Sequence, residues 1–369
     1  MASARPASRL RPFAAGLLIL TAARAVQAVP TKETAVNQAT LPEPSSARLP
    51  RWRGFNLLEK FSRDWNNGPF KESDFQMMHA WGFNFVRLPM DYRTWVAGDD
   101  WRAFNEPILR EIDQAVAWGK QYDIHVCINF HRGPGYCVNP PKEAKDLWTD
   151  PEAQEVCALH WATFARRYKG IPNRNLSFDL LNEPNDMDNA VYAKVARILI
   201  TAIRKEDPDR LIISDGTYWG NRPVPELADQ HIAQSTRGYA PMQISHFKAS
   251  WIGGSDTWPV PTWPLKEGDH TWDRQRLLNE QIAPWKKLEA MGVGVHVGEW
   301  GAFQHTPHAV ALAWMKDCLA NWKEAGWGWA MWNFRGSFGI LDSGRKDVVY
   351  EDFQGHKLDR PMLDLLRVN

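Results

Sequence analysis

Two glutamates stand where chemistry is easiest to place. Glu183 closes the apolar run LSFDLL and precedes Pro184, which stops a strand abruptly; Glu299 closes VGVHVG and precedes Trp300, a ring bulky enough to desolvate it. Alone, either acid reads as a solvated loop carboxylate or a helix cap. As a pair in unlike surroundings they offer something more specific. One carboxyl held neutral can protonate a leaving oxygen while the other stays ionised, the combination that glycosidic-bond cleavage requires. Other apolar runs end in Asn56, Arg87, His131, Asn182, Asp215, His246 and Trp332. Ordinary loop polarity would favour Lys, Ser and Gly at such places, so His, Glu, Asn and Arg together are informative where each alone is not.

A barrel brings such ends together, because the C-terminal ends of its parallel strands share one mouth. Eight short apolar runs serve as strands: 54–57, 84–88, 124–130, 176–181, 211–214, 242–247, 292–297 and 328–332. Helix-length amphipathic stretches alternate with them at 71–81, 105–121, 151–169, 189–206, 275–291 and 307–325, several opening with Pro or Asn. The stretch 223–233 after the fifth run is short and weakly patterned. This alternation predicts an α/β fold, a single (β/α)8 TIM barrel. A doubly wound open sheet is the alternative, but its Gly-rich phosphate turn after the first strand is replaced here by GFNLLEKF. Residues 248–274, after the sixth run, form a Trp/Pro/Gly-rich excursion; loops of that length are usually functional or disordered, and its four tryptophans favour function.

The ordered set RGFNL (53–57), WGFNFVRLP (81–89), INFH (128–131), LNEP (181–184), SHF (245–247), GEWG (298–301) and AMWNF (330–334) resembles glycoside hydrolase family 5, the cellulase and mannanase family. LNEP or GEW alone is short enough to arise by chance; seven matches in order at successive strand ends are not. The resemblance implies a (β/α)8 barrel and hydrolysis with retention of anomeric configuration. It also implies residue roles: Glu183 as acid/base, Glu299 as nucleophile, and Arg87 holding the nucleophile ionised. Asn182 would bind the sugar 2-hydroxyl, His131 and His246 would contact sugar hydroxyls, and Trp332 would lie beneath the sugar at the cleavage point. With retention, the two carboxyl groups should stand about 5–5.5 Å apart. One departure concerns the His-x-Tyr that relatives carry after strand six, whose tyrosine touches the nucleophile. The third residue of that motif here is Lys248. Tyr218, in the DGTYWG turn, is one replacement for the missing hydroxyl; Lys248 itself, as a cation near the pocket, is another, and Lys248 pointing to solvent is the plain structural reading.

Composition narrows the partners. Among 369 residues, 44 Lys plus Arg nearly cancel 43 Asp plus Glu, so no basic field gathers nucleic acid or anionic lipid. Twenty Trp beside eight Tyr suit either a Trp-rich core or stacking on sugars, with Trp52, Trp65, Trp95, Trp148, Trp219, Trp251, Trp258, Trp263 and Trp272 as candidates for the mouth. Residues 1–28 read as a signal peptide: Arg5, Arg9 and Arg11, an apolar stretch, then Val26-Gln27-Ala28. Residues 29–50 read as a Pro/Ser/Thr-rich disordered tether and 51–369 as the catalytic domain, secreted or periplasmic and monomeric. Cys127, Cys137, Cys157 and Cys318 leave three pairings open, since export permits disulfides. Neither metal nor cofactor is expected, because the histidines lack zinc-site spacing. The expected substrate is a β-1,4-glucan cut in an endo manner. The alternatives are β-mannan, exo-acting β-glucosidase or β-1,3-glucanase activity if the excursion blocks one end of the groove, and, remotely, a non-catalytic carbohydrate-binding barrel.

Overall fold

A computed structural model describes residues 41–369. The signal peptide and residues 29–40 of the expected tether lie outside the described residues. The rest of that tether, 41–50, is ordered, which corrects its expected boundary. Leu41 and Leu49 are buried, and the Ser46 carbonyl accepts a hydrogen bond of 2.7 Å from Gly294 N–H. The reason is packing at the barrel floor, where Leu49 joins Trp52, Phe85, Cys127, Leu211, Ile213, Ala233 and Ala330.

Eight parallel strands close into a barrel: β1 Arg53–Asn56, β2 Phe85–Asp91, β3 His125–Gly133, β4 Leu176–Asp179, β5 Ile212–Asp215, β6 Ala233–Gly238, β7 Val295–Trp300 and β8 Trp329–Met331. Neighbours in sequence pair all the way round, and β8 pairs with β1 to close the ring. Every residue of β2 and β3 is buried, as expected where a parallel sheet is covered on one face by helices and filled on the other by its own side chains. The covering helices include α1 Glu72–Ala80, α2 Glu106–Gln121, α3 Pro151–Arg167, α4 Asn189–Glu206, α5 Ala283–Glu289, α6 His308–Ala325 and α7 Arg360–Arg367. Local chemistry sets their ends. The Asp150 carboxylate caps α3 by accepting from Glu152 and Ala153 N–H with Pro151 in the first turn, and Gly326, at φ 80°, takes the left-handed turn that ends α6.

Seven strands fall on their expected runs; the sixth does not. The run 242–247 is instead a one-turn helix, Met242–Ser245, and the strand is Ala233–Gly238, AQSTRG. Its side chains alternate, Ser235 and Arg237 turning into the barrel and Gln234 and Thr236 toward the surrounding segments, and all four are buried although none is apolar, so an apolar-run criterion passes it over. The tryptophans divide accordingly. Trp52 and Trp95 are fully buried core residues, whereas Trp65, Trp219 and Trp251 are 70%, 42% and 55% exposed. The excursion 248–274 is ordered: Trp251 packs on Phe303 with ring centroids 4.8 Å apart, the Trp263 indole donates to Asp317 on α6 at 2.8 Å, and 265–267 pairs with 270–272 as a ribbon.

Candidate active site

The barrel mouth is organised around two buried guanidiniums. Arg87, on β2, donates through Nε to Asp179 at 2.7 Å, through Nη1 to Glu299 Oε1 at 2.7 Å and Asn56 at 3.1 Å, and through Nη2 to Asn182 Oδ1 at 2.8 Å. Arg237, on β6, donates through Nε to Glu183 Oε1 at 2.8 Å and through Nη1 to Asp215 at 3.0 Å. Its Nη2 reaches Asp215 Oδ2, Asn182 Oδ1 and, at 3.4 Å, Glu299 Oε1. Burial would be prohibitive for these charges unless paired; four carboxylates, from the ends of β4, β5 and β7, supply the pairing.

Glu183 and Glu299 therefore share a cavity, and one guanidinium touches both. Glu183 adopts φ 48°, a left-handed conformation costly for a residue with a Cβ. It is held there from two sides: its N–H donates to Asp215 Oδ2 at 2.9 Å, and its carbonyl accepts from the Tyr136 hydroxyl at 2.8 Å. Desolvation, reinforced by the negative charge of Glu299 and opposed by Arg237, pushes the Glu183 carboxyl up to about 7. Glu299, also buried, gathers more donors. Arg87 and Arg237 converge on Oε1, and the Tyr239 hydroxyl donates to Oε2 at 3.2 Å. The arrangement can give a proton from one carboxyl and offer a carboxylate from the other.

The remaining expected residues fall into three groups. Asn182, His131 and Trp332 join the site. Asn182 Oδ1 is held by both arginines, while its Nδ2 is buried without a partner. His131 and Trp332 flank Phe61, at 4.4 and 5.4 Å between ring centroids, and burial lowers the His131 imidazole well below its usual range. His246 sits just behind, its ring edge-on to Tyr239 at 5.0 Å and bonded to the Ser245 hydroxyl at 2.8 Å; burial lowers it to about 4. Tyr218 and Lys248 do not supply the hydroxyl or cation expected near Glu299. Lys248 is exposed, its ammonium 5.2 Å from the Phe247 ring, because its segment lies beyond the strand rather than at its end. Tyr218 is 45% exposed at the rim, where Tyr218 and Trp219 N–H donate to the carbonyls of Asn185 and Pro184, tying the turn after β5 to the loop that carries Glu183.

Three residues were missed by sequence reasoning: Tyr239, Arg237 and Tyr136. The first two follow from the misplaced strand. With β6 at its true position, the tyrosine after strand six is Tyr239, and the residue two before it is Arg237 where the resemblance anticipates histidine. The signal that could have found them was the GYAP turn after a short polar run. Tyr136 had only the HRGPGYC turn to mark it. All four cysteines are free thiols.

A closed parallel barrel whose mouth holds two buried glutamates, one raised by desolvation and the other bonded by two guanidiniums and a phenol, is the frame of a glycoside hydrolase. Residues 43–337 match the family described as Cellulase (glycosyl hydrolase family 5), and the chain belongs to that family; it hydrolyses glycosidic bonds with retention. Endoglucanase C of Acetivibrio thermocellus is 24% identical over 316 residues, covering 79% of this chain and 92% of the relative. Cellodextrinase A of Ruminococcus flavefaciens is 27% identical over 267 residues, covering 69% and 76%. A solved structure described as a glycoside hydrolase superposes with a TM-score of 0.80 at 38% identity, covering 86% of this chain and 99% of that one.

Proposed function

We propose that the chain is a secreted, monomeric endo-β-1,4-glucanase in which Glu183 is the general acid/base and Glu299 the nucleophile. The observation that carries the roles is the contrast between the two carboxyls: Glu183 is pushed up to about 7, whereas two guanidiniums and a phenol converge on Glu299. In the first step a Glu299 oxygen bonds to the anomeric carbon, the glycosidic bond breaks, and the Glu183 proton goes to the departing oxygen. Water then reverses the sequence, losing a proton to Glu183 as the ester to Glu299 opens. Asn182 Nδ2, buried and unpartnered, is free to donate to the sugar 2-hydroxyl, and Trp332 offers its face to the ring above the cleavage point. Arg87 anchors Glu299, and His131 and His246 orient the surroundings.

Endo action on a chain rests on where the exposed aromatics lie. Trp65 extends from Trp332 through Phe61, on the β1 and β8 side of the mouth, with centroids 5.2 and 5.4 Å apart. Tyr218 and Trp219 hang beside Glu183 on the β4 and β5 side. Strands one and five are diametrically opposed in a ring of eight, so stacking surfaces stand on both sides of the cleavage point and suit a chain lying across it. The glucan preference takes its support from the relatives named endoglucanase and cellodextrinase. Export takes its support from the first 28 residues. The test is hydrolysis of carboxymethyl cellulose, mannan, laminarin and aryl β-glycosides by the wild type and Glu299→Ala. A rapid viscosity loss on carboxymethyl cellulose, abolished in the variant, is expected; activity on aryl glycosides alone would end the endo assignment, and hydrolysis retained by the variant would end the assignment of the nucleophile.

A further inference from the structure

We propose that Arg237 is a positioning residue that couples the two halves of the reaction, holding Glu183 and Glu299 on one guanidinium so that negative charge leaving one is received by the other. The inference rests on the roles proposed above for the two glutamates. Its basis is geometric. Nε meets Glu183 Oε1 at 2.8 Å and Nη2 meets Glu299 Oε1 at 3.4 Å, while both Asp215 oxygens grip the Nη pair and fix the plane of the fork. The side chain is fully buried and tightly cradled. A Cβ on Gly220 would fall 2.6 Å from Arg237 Cγ, and one on Gly298 would fall 2.9 Å from Nη1. Arg87, by contrast, bonds Glu299 but not Glu183.

Before reaction, Arg237 faces a neutral Glu183 and a charged Glu299. When Glu299 forms its bond to the anomeric carbon it becomes a neutral ester, and Glu183, having given its proton to the leaving oxygen, becomes a carboxylate. The charge has moved from one contact of Arg237 to another without leaving the guanidinium. In the second half, water's oxygen bonds to the anomeric carbon and its proton goes to Glu183. The ester bond opens with its electron pair returning to Glu299, and the charge moves back. Arg237 also opposes the desolvation that raises Glu183, so in the intermediate, where the charge of Glu299 is gone, it favours the ionised base. The other titratable or charged groups around the pair are Arg87 on β2, His131 on β3, Asp179 on β4, Asp215 on β5, His296 on β7, Tyr239 and His246 beyond β6, and Tyr136 after β3. Among the described residues, no other side chain hydrogen-bonds both glutamates.

Lysine keeps the charge but concentrates it on one nitrogen, so Arg237→Lys separates the bridge from mere charge balance. The variant is assayed on 2,4-dinitrophenyl and phenyl β-glycosides of the sugar that the wild type cleaves. Dinitrophenol departs without a proton, so only the second half-reaction then needs Glu183. On the dinitrophenyl substrate, kcat and KM should fall together by about 10- to 100-fold, with a pre-steady-state burst. The basic limb of kcat/KM on the phenyl substrate, and the acidic limb of kcat on the dinitrophenyl substrate, should both move to higher pH. Equal losses in kcat and kcat/KM, with no burst and unmoved limbs, would reduce Arg237 to a structural partner of Asp215 and overturn the proposal. Should Arg237→Lys not fold, Ser235→Ala, which removes the hydroxyl that accepts from Arg237 Nη1 at 3.1 Å and changes no charge, is held to the same directions of change. Trapping the wild type with a 2-deoxy-2-fluoro glycoside and mapping the label gives an independent check. Label on a residue other than Glu299 would refute the catalytic roles, whereas label on Glu299 with unmoved limbs would refute only the role of Arg237.

Discussion

At the level of single residues, the site works by giving two chemically identical carboxyls different neighbours. Glu183 is raised chiefly by desolvation, while Glu299 gathers donors, and one of these, the Tyr239 hydroxyl, can be removed without disturbing a charge. Tyr239→Phe keeps the ring that packs edge-on against His246 and Phe338 and loses only the hydrogen bond to Oε2. A hydrogen bond to a charged group contributes about 1.5–3 kcal/mol, so kcat/KM should fall about 10- to 100-fold with little change in melting temperature. Steady-state kinetics beside a thermal melt distinguishes this from general damage; unchanged kcat/KM would mean that the contact does not serve the reaction. Tyr239 was also the residue hardest to find. Glu183, Glu299, Arg87 and Asn182 lie at the ends of recognisable strands, but the tyrosine hydroxyl was sought at 218 and 248 because the strand before it was misplaced.

At the level of elements, that misplacement has a physical cause. Strand prediction by apolar runs detects the face a strand shows to its helices, and β6, AQSTRG, shows little apolar surface there. Its identity lies in what it places inside the barrel: Ser235 and Arg237 against Gly298 of β7, beside Glu183 and Glu299. MQISHF, by contrast, is apolar enough to imitate a strand while folding as a single turn whose Ile244 and Ser245 are buried. Seven strands and the major helices were legible because each carries its own buried stripe; β6 takes its place from its neighbours. The β6–β7 contact is testable at Gly298. A Cβ there would fall 2.3 Å from Ser235 Oγ and 2.9 Å from Arg237 Nη1. The serine can rotate away, but the guanidinium is pinned by Asp215, so Gly298→Ala should displace Arg237. Overpacking of this kind costs about 1–3 kcal/mol, so the variant should fold with a lowered melting temperature and lose activity more than tenfold. Full activity would show that the Arg237 cradle is looser than the strand spacing implies.

At the level of the whole molecule, the polar barrel interior makes stability depend on pH in two opposing ways. Burial lowers His125 and His296 to about 3, His160 and His246 to about 4, and His131 well below 6.5. These imidazoles stay neutral in the fold while the unfolded chain takes up protons below about 6.5, so their contribution is lost as pH falls through that range. Three buried carboxyls act the other way. Desolvation raises Asp74 to about 6 and Asp179 and Glu183 to about 7, so their contribution is present at low pH and lost as pH rises toward 7. Between about pH 4.5 and 6 the folded protein lacks five imidazole protons that the unfolded chain binds and holds three carboxyl protons that it does not, so the histidines prevail. Acidification below 6.5 should therefore lower the melting temperature steeply, whereas the change above 7 should be shallow. His296 isolates one part of this balance. Neither of its ring nitrogens has a hydrogen-bond partner, and its ring packs 4.6 Å from Phe85 at the barrel floor, so His296→Leu removes a titrating group without leaving a polar atom unpaired. Whatever the leucine does to stability at pH 6.5, the drop in melting temperature between pH 6.5 and pH 5 should be smaller than in the wild type. An equal drop in both proteins would mean that the acid lability arises from surface ion pairs and not from the buried imidazoles.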